Sequence, residues 1–124
     1  MSCPQYVFKI LTTQPDLNST NIEFTELDQR SGFIHLSTGP QIPHTGHRFF
    51  SFAETLYILK FPYDKIKENI KWELAPGGED VFPHLYNDLL TADMDSMREF
   101  QKGQRSWVGV LCREPWLFDG AEDK

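Results

Sequence analysis

The stretch Leu56-Tyr57-Ile58-Leu59-Lys60-Phe61 gives the clearest secondary-structure signal in the chain, and Pro62 follows it directly. Leucine, isoleucine and aromatic residues fill five of its six positions. A short apolar run of this kind, bounded by a proline, is typical of a β-strand. We therefore predict a strand over Leu56–Phe61 that stops at Pro62, and the rest of the chain is interpreted outward from it.

Further strands are predicted on both sides of this segment, from alternating or mostly apolar residues. They are Gln5–Thr12, Gly32–Ser37, Lys71–Leu74, Val81–Tyr86 and Ser106–Cys112. Pro83 cannot donate to a ladder, so its strand is expected at an edge or a bulge.

Two or three short helices are predicted between the strands. One begins near Pro40 and Pro43 and uses Phe49, Phe50 and Ala53 as its apolar side. The others are Asp64–Asn69 and Asp93–Lys102. Loops are expected over Gln14–Gln29, with room for one helical turn, and over Ala75–Asp80, around Pro76-Gly77-Gly78.

This order of elements predicts an α+β fold with a split, mostly antiparallel sheet. The length of 124 residues fits a single domain, 1–124, with a core over about 5–118 and an acidic tail at 119–124. Pro115–Phe118 is expected to pack back on that core.

The composition excludes several classes of function. Eighteen acidic against 12 basic residues give a net charge of −6, which argues against general nucleic-acid binding. No apolar stretch approaches the roughly 20 residues of a membrane span, and no secretory signal is visible. Cys3 and Cys112 are interpreted as free thiols. We expect a cytoplasmic protein, with the nucleus as a second location. Nothing indicates an oligomeric state.

Two histidines with aromatic neighbours are the candidate catalytic residues. In an extended segment Phe33, His35 and Ser37 share one face, and Phe82, His84 and Tyr86 do so in another. Imidazole and phenol groups beside aromatic rings suit a flat heteroaromatic ligand. The alternative is that each histidine is a core residue bonded to backbone.

Other polar residues extend this candidate site. Ser37, Thr38 and Gln41 are predicted to orient a ligand, and Arg48 to meet a phosphate. Glu73 and Tyr86 are predicted to face the same cleft. For Glu73 and Arg48 the alternative is an ordinary exposed side chain. His44 and His47 lie three residues apart, but no further ligand is near them in sequence, so no metal site is predicted.

Several short motifs, in order, resemble the family called domain of unknown function 952. They are Gly32–Thr38, Gln41, Arg48–Phe50, Trp72–Glu73 and Phe82–Tyr86. The resemblance extends from about Tyr6 to the last predicted strand. The family has no established activity, but its fold is similar to that of the ADP-ribosyltransferases, whose split sheet encloses an NAD cleft.

The resemblance implies three positions around such a cleft. Lys9 would occupy the first-strand position and His35 the second-strand position. His84, or alternatively Glu73, would stand where the wider group has a carboxylate. A histidine at that third position departs from the pattern and argues against ordinary ADP-ribosyl transfer.

The sequence therefore predicts binding of NAD or a related nucleotide-like small molecule between two histidine-bearing strands, with no required cofactor. ADP-ribosyl transfer or NAD hydrolysis is the associated chemistry. The alternative is a non-enzymatic module that senses a small molecule or binds a protein partner. An enzyme should present both imidazoles to one accessible pocket, whereas a scaffold should bury them against backbone groups.

Overall fold

The computed structural model describes residues 4–75, 78 and 80–118, which form nine strands and four α-helices. The strands are β1 (Tyr6–Leu11), β2 (Asn21–Ile22), β3 (Ile34–His35), β4 (Ser37–Thr38), β5 (Thr55–Pro62), β6 (Ile70–Leu74), β7 (Val81–Leu85), β8 (Leu89–Leu90) and β9 (Ser96–Gln101). The helices are α1 (Glu26–Ser31), α2 (Ile42–Phe49), α3 (Tyr63–Ile66) and α4 (Trp107–Leu111). Short 3₁₀ turns lie at Gly39–Gln41, Lys67–Asn69, Thr91–Asp93 and Pro115–Phe118. The predicted tail 119–124 lies outside the described residues.

The strands of the described chain pair in three antiparallel sheets. The first sheet has the order β4-β1-β5-β9, the second has the order β3-β7-β6, and β2 pairs with β8. The α+β class and the split, antiparallel character of the sheet, both predicted from the sequence, are confirmed.

The first sheet is buried on both of its faces. On one face Leu59 of β5 packs with Val7 of β1, and on the other Ile58 packs with Phe8, in two separate hydrophobic clusters. A strand covered on both sides needs apolar residues at consecutive positions rather than alternate ones. This explains the nearly continuous apolar run at Leu56–Phe61.

Short helices cover the second of these clusters. Ile42 of α2 and Trp107 of α4 are buried in it. The two helices approach closely at Gly46, where an added Cβ would lie 3.2 Å from Cβ of Trp107. Among the described residues, no helix has the length and apolar content needed to cross a membrane.

The chain passes from the second sheet to the first between β3 and β4. His35 pairs with His84 in the second sheet, whereas Ser37 pairs with Phe8 in the first. Leu36 lies between them and is buried. The single strand predicted here is therefore two short strands, and His35 and Ser37 belong to different sheets.

The helix predicted over Asp93–Lys102 is wrong, because Ser96–Gln101 forms strand β9. Every residue of β9 pairs with a residue of β5. This long-range pairing outweighs the local preference of residues such as Met97 and Glu99 for a helix.

The strand predicted over Ser106–Cys112 is also wrong, because Trp107–Leu111 is helix α4. The Ser106 hydroxyl accepts the backbone N–H of Gly109 at 3.1 Å and so caps the helix. Trp107 and Leu111 are four positions apart and both buried, which is the spacing of one helix face.

Pro83 lies in the central strand of the second sheet, not at an edge or a bulge as predicted. The Pro83 carbonyl accepts the N–H of Leu36 at 3.1 Å. The nitrogen and the carbonyl of one strand residue point to the same side, so the Pro83 ring nitrogen also faces Leu36, just beyond the end of β3. Leu36 lies opposite Pro83 in this register, and the proline cannot return a bond to the Leu36 carbonyl. The sheet loses one ladder bond there, and β3 ends at His35.

The apolar side predicted for α2 is wrong at Phe49, which is 53% exposed. The buried residues of the helix are Ile42, Pro43 and Gly46. Ala53 is buried as predicted, but it lies beyond the helix end.

Gly39 provides a test of how the C-terminal turn packs. A Cβ at Gly39 would lie 1.8 Å from the backbone oxygen of Leu117. A backbone atom cannot shift aside as the end of a flexible side chain can. We expect Gly39→Ala to lower the free energy of unfolding by about 1–3 kcal/mol, the range for overpacking. Urea denaturation of the variant and the wild type measures this difference.

The matched control is Gly109→Ala in α4, where the nearest atom to an added Cβ is Ser106 Oγ at 3.5 Å. Alanine is the better helix former, so this variant should match or exceed the wild type in stability. Equal stability of Gly39→Ala and the wild type would contradict the close approach to Leu117.

Candidate active site

His35 on β3 and His84 on β7 are direct neighbours across the second sheet, with ring centroids 5.5 Å apart. The backbone N–H of His35 donates to Asp28, and its carbonyl accepts from Lys9. Both backbone groups therefore point away from β7. The two histidines form a non-hydrogen-bonded pair, the type in which facing side chains approach most closely.

A capping box holds Asp28 in the first turn of α1. The Thr25 hydroxyl accepts the backbone N–H of Asp28, and Asp28 Oδ2 accepts the N–H of Thr25, each at 3.1 Å. The reciprocal bonds fix the carboxylate in a fully buried position beside β3.

From this position the Asp28 carboxylate binds two other elements. Oδ1 accepts the backbone N–H of His35 at 3.0 Å and contacts its Nδ1 at 2.8 Å, and Oδ2 accepts from Lys9 Nζ at 2.7 Å. An ionised carboxylate only accepts hydrogen bonds, so Nδ1 of His35 carries a proton. Nε2 is then the atom through which this imidazole can exchange a proton.

The charge of Asp28 is stabilised by its partners. Burial by itself raises the pKa of this carboxyl, but the hydrogen bond from His35 and the charge of Lys9 outweigh burial and hold the pKa well below its usual range. Burial lowers the pKa of Lys9, and the adjacent Asp28 acts in the opposite direction. Asp28 is therefore an anion at neutral pH.

Glu73 on β6 makes the corresponding contact with His84. Its Oε1 contacts His84 Nδ1 at 2.8 Å and accepts from the Tyr86 hydroxyl at 2.7 Å. The hydrogen bonds from Tyr86 and His84 lower the pKa of Glu73, and the same bond to Glu73 raises the pKa of Tyr86. The Glu73 side chain is 38% exposed, so this carboxylate lies at the surface.

The two carboxylates hold the imidazoles from opposite sides. Asp28 contacts β3 on the side away from β7, and Glu73 lies on β6, on the other side of β7. Each carboxylate contacts Nδ1, which leaves Nε2 as the other nitrogen of each ring. We call Asp28–His35 and Glu73–His84 the paired dyads.

Neither Nε2 atom has a hydrogen-bond partner among the described residues. Within that part of the chain, Thr91 Oγ1 is the one buried side-chain oxygen or nitrogen without a partner. Both Nε2 atoms therefore reach solvent, although the His84 side chain is only 4% exposed. The backbone bonds expected of purely structural histidines are not made by either ring.

Phe33 forms the wall of the site. Its ring stacks on His84, with centroids 4.1 Å apart and planes at 24°, and its centroid is 4.5 Å from that of His35. Tyr86 lies at 5.2 Å on the same ring. The aromatic setting predicted for both histidines is thus formed by one shared phenylalanine, which limits the orientations of both imidazoles.

The remaining predicted ligand-binding residues lie in several places. Lys9 is buried, with its ammonium bound to Asp28 and the carbonyl of His35. Ser37 is buried in the first sheet. The N–H of Thr38 donates to Gln41 Oε1, and Gln41 Nε2 donates to the carbonyl of Val81. These contacts tie the start of α2 to the start of β7.

Gln41 and Arg48 line a cleft of about 210 Å³ between α2 and the second sheet. Phe82 lines it too, and in the alternation of β7 it shares a face with His84. A second cavity, of about 320 Å³, lies along the segment Leu11–Thr25. The histidines of the paired dyads line neither cavity. The dyads therefore form a surface beside the cleft that Gln41, Arg48 and Phe82 line.

Asp28 was not predicted as a site residue. The sequence signal for it is Thr25-Glu26-Leu27-Asp28, in which a threonine and an acid three positions later resemble a capping box. This pattern predicts a helix start within the segment interpreted as a loop. The contact between Asp28 and His35 depends on tertiary packing that the pattern does not contain.

His44 and His47 on α2 are both exposed. His44 lines the cleft beside Arg48, and His47 does not. Among the described residues, no group of three or more histidine, cysteine or acidic side chains is placed to hold a metal ion.

Comparisons with known proteins define the class of this chain. The family model "Protein of unknown function (DUF952)" matches residues 12–97, which is more than half of the chain, so the protein belongs to that family. The family membership predicted from the sequence is thereby confirmed, with a match over residues 12–97 rather than from about Tyr6 to the last predicted strand. No curated protein matches the chain.

Solved structures of one bacterial protein are similar to this chain. The crystal structure of protein CC0527 from Caulobacter crescentus is 29% identical with a TM-score of 0.72, covering 82% of this chain and 90% of that one. The solution structure of CC0527 is 28% identical with a TM-score of 0.67, covering 81% and 88% respectively. Both are structural genomics targets.

Removal of the Asp28 charge should be strongly destabilising. In Asp28→Asn the ammonium of Lys9 stays buried without its anion, and breaking a buried pair in this way costs about 3–5 kcal/mol. Chemical denaturation of the variant against the wild type gives the difference. The control is Asp64→Asn, since Asp64 is 88% exposed in its pair with Lys67 and should contribute less than about 0.5 kcal/mol. Similar losses in both variants would contradict the central role of Asp28.

The same carboxylate should make stability depend on acid pH. The pKa of Asp28 is lower in the folded state, so its contribution is complete above its unfolded value of about 3.8 and is lost as pH falls toward the folded value. The free energy of unfolding should therefore fall between about pH 5 and pH 2, where the unfolded chain binds more protons. The double variant Lys9→Met/Asp28→Asn should show a shallower fall. Equal slopes for the two proteins would disprove this assignment.

Proposed function

We propose that this protein binds NAD or a related nucleotide-like small molecule at the paired dyads and acts on it by acid–base chemistry. The observation that carries the proposal is the pair of carboxylate-held imidazoles, whose ring centroids are 5.5 Å apart. The Nε2 atom of each ring has no partner among the described residues. A carboxylate on Nδ1 fixes the tautomer and orientation of a histidine and stabilises its protonated form. Such a histidine is suited to general acid–base catalysis.

The position of Glu73 supports glycosidic chemistry on such a ligand. Oε1 of Glu73 is occupied by His84 and Tyr86, whereas Oε2 accepts no hydrogen bond from a described residue. Cleavage of a nicotinamide–ribose bond builds positive charge on the ribose, and a carboxylate oxygen stabilises that charge or holds a ribose hydroxyl. In this scheme Glu73 supplies the carboxylate of the third position and His84 orients it.

The proposed likeness to the ADP-ribosyltransferases extends to the other two positions. His35 on β3 then flanks the ribose, and the buried Lys9 on β1 acts through Asp28 rather than on the ligand. Arg48 lines the neighbouring cleft and binds a phosphate of the ligand in this scheme, because a guanidinium binds phosphate oxygens in pairs. Gln41, which also lines that cleft, orients the ligand beside it.

A second candidate is a binding module without turnover. Phe52, Leu74 and Phe49 are 75%, 61% and 53% exposed, and apolar side chains of this size on a surface favour contact with a partner. In that case the dyads recognise a small molecule or serve the fold, and no product is released.

Calorimetric titration tests the proposal. NAD, ADP-ribose and nicotinamide are titrated separately into the wild type, His35→Ala and His84→Ala, with folding checked by circular dichroism. We expect at least one of the three ligands to bind the wild type and to bind each variant about 10- to 100-fold more weakly, as for loss of a hydrogen bond to a charged group. Chromatography of the NAD mixture for free nicotinamide then reports turnover.

The matched control is His47→Ala, which removes an exposed imidazole outside the site and should leave binding unchanged. Binding of none of the three ligands to the wild type would refute the nucleotide proposal. Binding that is equal in the wild type and both dyad variants would place the ligand elsewhere. Binding without released nicotinamide would support the module.

A further inference from the structure

We infer that the paired dyads hydrolyse a phosphodiester that includes a ribose hydroxyl oxygen, with nucleoside 2′,3′-cyclic phosphates as the substrate class. This inference rests on the proposed function, because it takes a nucleotide-like ligand to the same surface. It differs in the bond that is broken, which is a P–O bond rather than the glycosidic bond between nicotinamide and ribose.

The imidazoles of the site also suit chemistry at phosphorus. A protonated imidazole beside a breaking glycosidic bond opposes the positive charge that develops on the ribose carbon. Beside a phosphoryl group the same imidazole stabilises negative charge on the oxygens. His35 and His84 each contact a carboxylate through Nδ1, at 2.8 Å in both dyads. Two imidazoles held in this way therefore also suit an anionic reacting centre.

The geometry supplies the two groups that displacement at phosphorus requires. One group removes a proton from the attacking water, and another gives a proton to the leaving oxygen on the opposite side of phosphorus. The imidazoles of His35 and His84 lie on neighbouring strands with their ring centroids 5.5 Å apart, and no described residue bonds either Nε2 atom. Because Asp28 and Glu73 hold the rings by Nδ1, both Nε2 atoms are fixed before substrate arrives.

The proposed step balances without a cofactor. Neutral Nε2 of one histidine takes a proton from water as its oxygen forms a bond to phosphorus. The P–O bond to a ribose oxygen breaks, and the protonated Nε2 of the other histidine donates its proton to that oxygen. The product is a ribose phosphate monoester with one free hydroxyl, and the imidazoles regain their starting states by exchange with solvent.

The adjacent cleft gives the nucleobase a place. Phe82 is two positions from His84 on the same face of β7, a separation of about 7 Å along a strand. Phe82, Phe49 and Arg48 line the cleft of about 210 Å³. Aromatic rings and a guanidinium plane are the groups on which a base stacks.

The reaction needs one protonated and one neutral imidazole, so its rate should fall at both low and high pH. The charged and titratable groups packed against the two rings come from four elements. They are Lys9 on β1, Asp28 on α1, Lys71 and Glu73 on β6, and Tyr86 following β7.

The experiment incubates the full chain with 2′,3′-cyclic AMP and follows products by ³¹P NMR across pH 5 to 9. We expect conversion to a single adenosine monophosphate isomer with a bell-shaped pH profile. His35→Ala and His84→Ala should each lower the rate by about 100-fold or more, as for loss of a general acid or base. Glu73→Gln, a less disruptive change at a partly exposed side chain, should also lower the rate, and His47→Ala should not.

The outcomes separate this inference from the proposed function. No hydrolysis by a wild type that binds NAD or ADP-ribose overturns the inference and leaves the proposed function standing. No hydrolysis and no binding overturns both. Hydrolysis that survives loss of either histidine overturns the two-imidazole step. Hydrolysis that is lost in both histidine variants and in Glu73→Gln, and kept in His47→Ala, supports it.

Discussion

The buried carboxylate of Asp28 is the contact on which the rest of the site depends. It joins three elements of the chain, since it caps α1, pairs with Lys9 of the first sheet and binds both the backbone and the ring of His35. An ion pair shielded from water is sensitive to the loss of either partner. The orientation of His35 is thus tied to the stability of the fold.

The second dyad is built differently. Glu73 is partly exposed and lies on the outer strand of the second sheet, and it reaches His84 from a neighbouring strand rather than from a helix. Its second partner is the exposed Tyr86. One imidazole is therefore held by a rigid, buried anion and the other by an anion in contact with solvent. Two similar side chains so acquire different electrostatic surroundings, which is the condition for assigning them different proton-transfer roles.

The sequence predicted the fold class and most strands because their signals are local. The run Leu56–Phe61 and the alternation of β1 are visible in a single segment, and both strands are present. The errors at Ser96–Gln101 and Trp107–Leu111 have a common physical origin. The first is a strand because β5 offers it a partner, and the second is a helix because Ser106 caps it and the second hydrophobic cluster takes Trp107.

The candidate site was predicted only in part, because only some of its residues have a local signal in the sequence. His35, His84 and Tyr86 were recognised from the aromatic residues beside them, and Glu73 from its position after Trp72. Glu73 contacts His84 and Tyr86 at 2.8 and 2.7 Å, and His35 lies beside His84 with ring centroids 5.5 Å apart. Asp28 was not predicted because its role depends on tertiary packing, which places the first turn of α1 beside β3. Their catalytic and binding roles remain predictions.

The single residue between β3 and β4 restricts how the length of this chain can vary. His35 belongs to one sheet and Ser37 to the other, with only Leu36 to make the crossing. Side chains alternate along a strand, so one inserted or deleted residue here would turn either the imidazole or the residues of β4 to the opposite face. The connection between β1 and β2, in contrast, runs through exposed polar residues and tolerates added length. Insertions and deletions in related chains are therefore expected at that loop and not at the crossing.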